Sequence, residues 1–190
     1  MRPIFTIHAG EYLVASELEK NKSFKKSNAN IWIPGKDTGI DLLLTDKTNR
    51  RTVSLQVKFS KSFEPVSDNP EIRKRVRSQG WWIINSKKLK LSLADFWVFV
   101  TYSFDTKQND FIIVKPKEFY AFLRKLKNKP DKNGSYHLYS CVTRNDKALE
   151  TRGLSKKELE GYYFNFYNSP TRNLTKFLNN WNILLKKLKT

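Results

Sequence analysis

Cysteine and histidine are nearly absent from this chain: its 190 residues carry one Cys, Cys141, and two His, His8 and His137. A single thiol excludes an internal disulfide and fits a reducing compartment, so a cytoplasmic location is expected. Three such groups cannot close a tetrahedral zinc site of the usual kind. His137 and Cys141 therefore read as structural, and His8 as a capping or packing residue near a helix start. Glycine and proline are also scarce, 7 of each, which excludes fibrous and low-complexity chains. No apolar run approaches the ~18 residues of a membrane helix. The N-terminal segment turns polar by Glu11, too early for a secretory leader.

Positive charge and aromatic rings are plentiful. Thirty-six Lys and Arg stand against 18 Asp and Glu, a formal net charge of +18 carried by all three thirds of the chain. A field of that kind, spread over the whole molecule, points to a polyanionic partner. The hydrophobic fraction of 39% supplies a proper core, so one domain spanning residues 1–190 is expected rather than a disordered chain.

Periodicity places the elements. Residues 9–20 read as a helix with a stripe through Val14 and Leu18. Residues 31–33 form a short strand ended at Pro34-Gly35, and Asp37 beside them reads as a turn former. Residues 40–45 and 53–59 read as a hairpin around the polar turn 46–51. Residues 60–80 read as irregular and strongly basic. Residues 96–102 are a near-continuous β-former run, as in a strand covered on both faces. A strand at 111–114 follows, then a helix at 117–127 opened by Pro116, and a strand at 136–143. Ser155 and Glu158 have capping-box spacing. Leu174, Phe177, Leu178, Trp181, Leu185 and Leu188 follow helical steps, predicting a helix over residues 171–187.

The hairpin carries the chemistry. Period-2 alternation sends Val53, Leu55, Val57 and Phe59 one way and Ser54, Gln56 and Lys58 the other. A turn centred on residues 48 and 49 pairs Asp41 with Gln56. Asp41, Gln56 and Lys58 then share one patch of an otherwise apolar hairpin, which either a reaction site or a solvent-facing sheet would explain.

Gly39-Ile40-Asp41, then Gln56-Val57-Lys58, preceded by the helical Gly10-Glu11-Tyr12-Leu13-Val14-Ala15-Ser16-Glu17-Leu18, resembles the PD-(D/E)xK nuclease superfamily, which includes restriction endonucleases and Holliday-junction resolvases. The resemblance covers residues 10–60 by motif and reaches about residue 103 by element order; a C-terminal helical extension at about 150–190 has no motif. It implies an α/β, restriction-endonuclease-like core, with a mixed central β-sheet flanked by helices. It also implies an Mg²⁺-dependent endonuclease, with Mn²⁺ as a substitute, hydrolysing phosphodiester bonds in duplex or branched DNA, with RNA the lesser substrate.

Carried over residue by residue, Asp41 is the central metal ligand, Gln56 stands at the second acidic position, and Glu11 is the helix carboxylate. The Val57 main-chain carbonyl completes the ligand set, and Lys58 is the motif lysine that holds the attacking water or the scissile phosphate. Glu17 competes with Glu11 on the same helix but faces another direction. Ile40 replaces the motif proline. Gln56 replaces a carboxylate and removes one negative charge, which leaves open a catalytically inactive nucleic-acid-binding module of the same fold.

Arg73, Lys74, Arg75 and Arg77, with Lys87, Lys88 and Lys90, are the candidate phosphate contacts. Of Trp81 and Trp82, one reads as core and the other as its lid or as a base-stacking group. No membrane contact is expected. Cutting both strands of a duplex calls for two active sites and hence a homodimer, with the C-terminal helix and residues 162–167 as candidate interfaces.

Overall fold

The computed structural model describes residues 4–34, 39–62, 69–103, 107–165 and 167–189, with residues 4–8, 61 and 62 described by backbone alone. The expected turn at Gly35 and Asp37 lies outside them, as does the side chain of His8. The chain opens with helix α1 (Ile4–Lys20), five residues longer than its apolar stripe predicts, and a short α2 (Lys22–Ser27). Asn21 ends one helix and starts the next, its side chain accepting from the Ser23 and Phe24 amides. Strands β1 (Asn30–Trp32), β2 (Leu42–Thr45) and β3 (Thr52–Ser62) follow, then α3 (Pro70–Arg73), β4 (Val76–Asn85), α4 (Ser86–Lys90), β5 (Phe96–Ser103) and β6 (Gln108–Val114). The remainder holds α5 (Pro116–Lys125), β7 (Ser135–Thr143), β8 (Ala148–Glu150), α6 (Lys156–Tyr163) and α7 (Asn182–Lys189).

Five strands make a mixed sheet in the order β1-β2-β3-β5-β6, antiparallel except for the parallel β3–β5 pair. A second sheet, β4-β7-β8, is antiparallel throughout. The architecture is thus α/β, a mixed central sheet flanked by helices. Val14 and Leu18 of α1, Phe24 of α2, Trp181 just before α7, and Leu184 and Leu188 of α7 pack on one face of the central sheet against Leu42, Leu44, Val53 and Leu55. On its other face Trp97, Phe99, Ile112 and Val114 meet Trp82 and Ile84 of β4, Leu138 of β7 and Phe119 and Leu123 of α5. Strand β5 is therefore buried on both faces, as its unbroken apolar run requires.

Three expectations are corrected. Part of the segment read as irregular is β4, whose even-numbered residues, Val76 to Ile84, all point inward. The C-terminal stripe is buried as expected, but it is not one helix: residues 170–172 and 175–177 are 3₁₀ turns, and α7 begins only at Asn182. Asn179 stops a continuous helix by adopting a left-handed φ of 49° and exchanging hydrogen bonds with the main chain of Phe111. Two of the groups suggested for a dimer surface are internal instead, the rings of Tyr162 and Tyr163 and the apolar side of α7. Tyr162 and Tyr163 pack with Ile72, Val76, Cys141 and Leu149, and the apolar side of α7 faces the central sheet.

The two sheets are joined at one end by a buried polar clamp. Asp110 of β6, 2% exposed, accepts from Arg77 Nε and Nη2 at 3.0 and 2.7 Å, from Ser78 Oγ at 2.6 Å and from Asn179 Nδ2 at 3.0 Å. Ser78 Oγ also meets Thr101 Oγ1 of β5 at 2.7 Å. Both carboxylate oxygens are filled by donors from β4 and from the segment before α7.

Candidate active site

The hairpin register follows from its alternation. Leu42 pairs with Leu55 and Thr45 with Thr52, so each pair sums to 97. Asp46 closes the turn by accepting from the Arg50 and Arg51 amides, and Asn49 takes the left-handed conformation. At the other end β2 stops at Leu42 while β3 runs on to Ser62. Asp41 sits at that step. Its amide donates to the Leu55 carbonyl at 2.8 Å, and its Oδ2 accepts from the Val57 amide at 2.6 Å. The carboxylate thus takes the place of the missing strand partner and is fixed by it. Gly39, at φ 82°, makes the bend that delivers Asp41 there. The N–H and C=O of one strand residue leave on the same side, so the Val57 carbonyl faces the Asp41 edge as well.

Glu11 arrives from the opposite face of the sheet. A Cβ on Gly10 would lie 2.7 Å from Phe59 Cβ and 3.2 Å from Val57 Cγ1. Only glycine lets α1 come this close to β3, and the next residue, Glu11, is left 8% exposed at the same edge. Glu17, six residues on, is not among the cleft residues. Lys58 points to the face shared with Trp97, its Nζ 5.4 Å from the indole centroid, and Trp97 Nε1 donates to Ser92 Oγ at 2.8 Å. An indole face so placed attracts the ammonium and limits its excursions.

Glu11, Asp41, Gln56, Val57 and Lys58 line one open cleft of about 970 Å³. Its far wall is Trp81 and Ile83 of β4, Lys87 and Lys88 of α4, and the loop 91–93. Trp82 Nε1 donates to the Lys58 carbonyl at 3.0 Å and holds the two walls together. Every candidate ligand offers oxygen. Among the described residues no three His, Cys, Asp or Glu side chains cluster as a metal-holding group. Two carboxylates, an amide and a carbonyl fit Mg²⁺, which uses one or two carboxylates and keeps several waters, better than a softer ion.

The basic residues divide. Lys87 and Lys88 are in the cleft; Lys90 lies over Tyr120, 5.2 Å from its centroid. Arg73, Lys74, Arg75 and Arg77 are not among the lining residues. Arg77 precedes Trp81 by about 13 Å of strand. Lys74 pairs with Glu71 at 2.8 Å, and Arg75 stacks 4.6 Å from the Phe164 centroid. Arg77 was expected to meet phosphate; its guanidinium instead bridges Asp110 and Asp146, and these hydrogen bonds hold its pKa above the ordinary value despite the opposing effect of burial. Sequence reasoning missed Ser92 and the apolar wall of Ile83, Leu91 and Leu93. The outward parity of residues 81 and 83 was the one signal available for that wall.

The sequence matches no protein-family model and no curated protein. Among solved structures the chain is similar to D212, a nuclease from a fusselovirus, at 12% identity and a TM-score of 0.44, over 70% of this chain and 79% of that one. No helix among the described residues is long and apolar enough to cross a membrane.

Proposed function

We propose that the chain is a nuclease that hydrolyses phosphodiester bonds in DNA, with a restriction-endonuclease-like catalytic edge and Mg²⁺ as its cation. The observation that carries this reading is the meeting of Glu11, Asp41, Gln56 and Lys58, from a helix, a strand entry and a strand, in one cleft whose far wall holds Lys87 and Lys88. Glu11, Asp41, the Gln56 amide oxygen and the Val57 carbonyl would hold the cation. Bound there, it would lower the pKa of a water and offset charge developing on the scissile phosphate. Lys58, steadied by Trp97, orients that water or neutralises a phosphate oxygen. Lys87 and Lys88 receive the flanking phosphates, and the overall charge raises the local concentration of DNA, so binding weakens steeply with salt.

The test is cleavage of supercoiled plasmid and of a branched junction in Mg²⁺ and in EDTA, for the wild type, Asp41→Ala and Lys58→Ala. Metal-dependent cutting abolished by both substitutions is the expected result. Cutting that survives both places the chemistry elsewhere. Gln56 at an acidic position favours one second reading, a binding module that has lost catalysis. It requires that nothing is cut while both variants still bind DNA.

A further inference from the structure

The far wall of the cleft is unlike a surface built for duplex DNA. Trp81 and Ile83 point outward from β4, and Leu91 and Leu93 follow α4; they are 51%, 58%, 76% and 79% exposed. Apolar groups concentrated in a cleft mark a site of binding. Trp81 is stacked on its cross-strand partner Tyr139, centroids 5.9 Å apart and planes at 22°. Its amide donates to Ser60 Oγ at 2.9 Å, two residues beyond Lys58, so the ring pair is anchored to the strand that bears the lysine.

A continuous duplex offers phosphates, sugars and base edges, which suit Lys87 and Lys88 but leave this apolar wall without a partner. An unpaired base offers a flat face, the surface that Trp and aliphatic side chains complement. We infer that the cleft takes DNA with an unpaired stretch, as at a flap, fork or single strand, with a base stacked on Trp81 and its phosphates on Lys87 and Lys88. This rests on the nuclease reading for the chemistry, not for the binding. A second copy of this chain is the poorer occupant, because it would press Lys87 and Lys88 against a molecule of net charge +18.

The experiment is fluorescence anisotropy in EDTA with a short labelled single strand and a blunt duplex of the same sequence, for the wild type, Trp81→Ala and Trp81→Phe. The wild type should prefer the single strand. Trp81→Ala should weaken single-strand binding by about 5- to 150-fold, the effect of removing one stacked base, and duplex binding far less. Trp81→Phe, which keeps a ring, should recover most of the loss. Equal losses on both DNAs, or a wild type that prefers duplex, overturns the inference. So does wild-type self-association in sedimentation that Trp81→Ala abolishes without any change in single-strand binding. Because binding is read in EDTA, the two readings separate: absence of cleavage in Mg²⁺ sinks the nuclease alone, and absence of a single-strand preference in EDTA sinks the stacking wall alone.

Discussion

Replacing Asp110 by alanine removes the acceptor on which Arg77, Ser78 and Asn179 converge, and the structure sets the size of the loss. The carboxylate is buried and takes four hydrogen bonds, two of them a bidentate pair with a guanidinium. Breaking a buried ion pair from one side costs about 3–5 kcal/mol, because the other charge stays behind without its counter-ion. Arg77 keeps its bond to Asp146 at 2.6 Å and is 19% exposed, so the lower end, about 3 kcal/mol, applies. For a chain of this length each kcal/mol moves Tm by about 2–4 °C, giving a fall of about 6–12 °C. Thermal and urea unfolding of Asp110→Ala, Arg77→Ala and the double variant would measure it. The double variant should be much less destabilised than the sum of the two, with a coupling of about 2 kcal/mol or more. A Tm within 2 °C of the wild type, or strict additivity, would refute the clamp. If Arg77 served DNA instead, Arg77→Ala would weaken binding and leave Tm in place.

Asp41→Asn keeps an acceptor for the Val57 amide, whereas Asp41→Ala removes a 2.6 Å bond from a half-buried position. Both should lose cleavage, but only the alanine variant should also lose about 1–2 kcal/mol in urea melts; equal stabilities would detach Asp41 from the β3 edge. Gly10→Ala should destabilise the protein although alanine favours helix by about 1 kcal/mol, since its Cβ would collide with Phe59. A raised Tm would show that α1 does not need this close approach. Burial pushes the Cys141 thiol up to about 12, so at pH 8 it stays protonated and enclosed. An aromatic disulfide reagent should then react only on unfolding, and stoichiometric labelling of the native protein would contradict the packing around β7.

The hairpin was the legible part of the sequence. Strict alternation at 53–59, apolar residues at 40 and 42–44 around Asp41, and a short polar turn leave one register, and a slip by one residue would have put Val53, Leu55 and Val57 on the wrong face. The placing of Glu11, Asp41, Gln56 and Lys58 around one cleft follows from that register and from Gly10. Strand β4 was not legible, because two of its five inward positions are Ser78 and Gly80 and carry no hydrophobic signal. The C-terminal stripe misled for a different reason. Side chains at helical spacing can be buried by successive 3₁₀ turns as well, and Asn179 reverses the chain where the pattern shows no break. Arg77 looked like part of a basic run because its partners, Asp110 and Asp146, are remote in sequence.

The parity of β4 has a consequence for how this surface can vary. Residues 80, 82 and 84 are committed to the interior, while 81 and 83 face outward, so one strand interleaves buried positions with exposed ones. Outward substitutions usually change stability by no more than about 0.5 kcal/mol, and loss of the Trp81–Tyr139 ring pair adds about 0.5–1.5 kcal/mol. A combinatorial library at positions 81 and 83 would therefore sample many cleft walls at a modest cost in stability, with the Asp41–Lys58 edge untouched on the neighbouring sheet. On the proposed reading the stacking wall and the Asp41–Lys58 edge lie on separate sheets, so mutation would tune the first without touching the second.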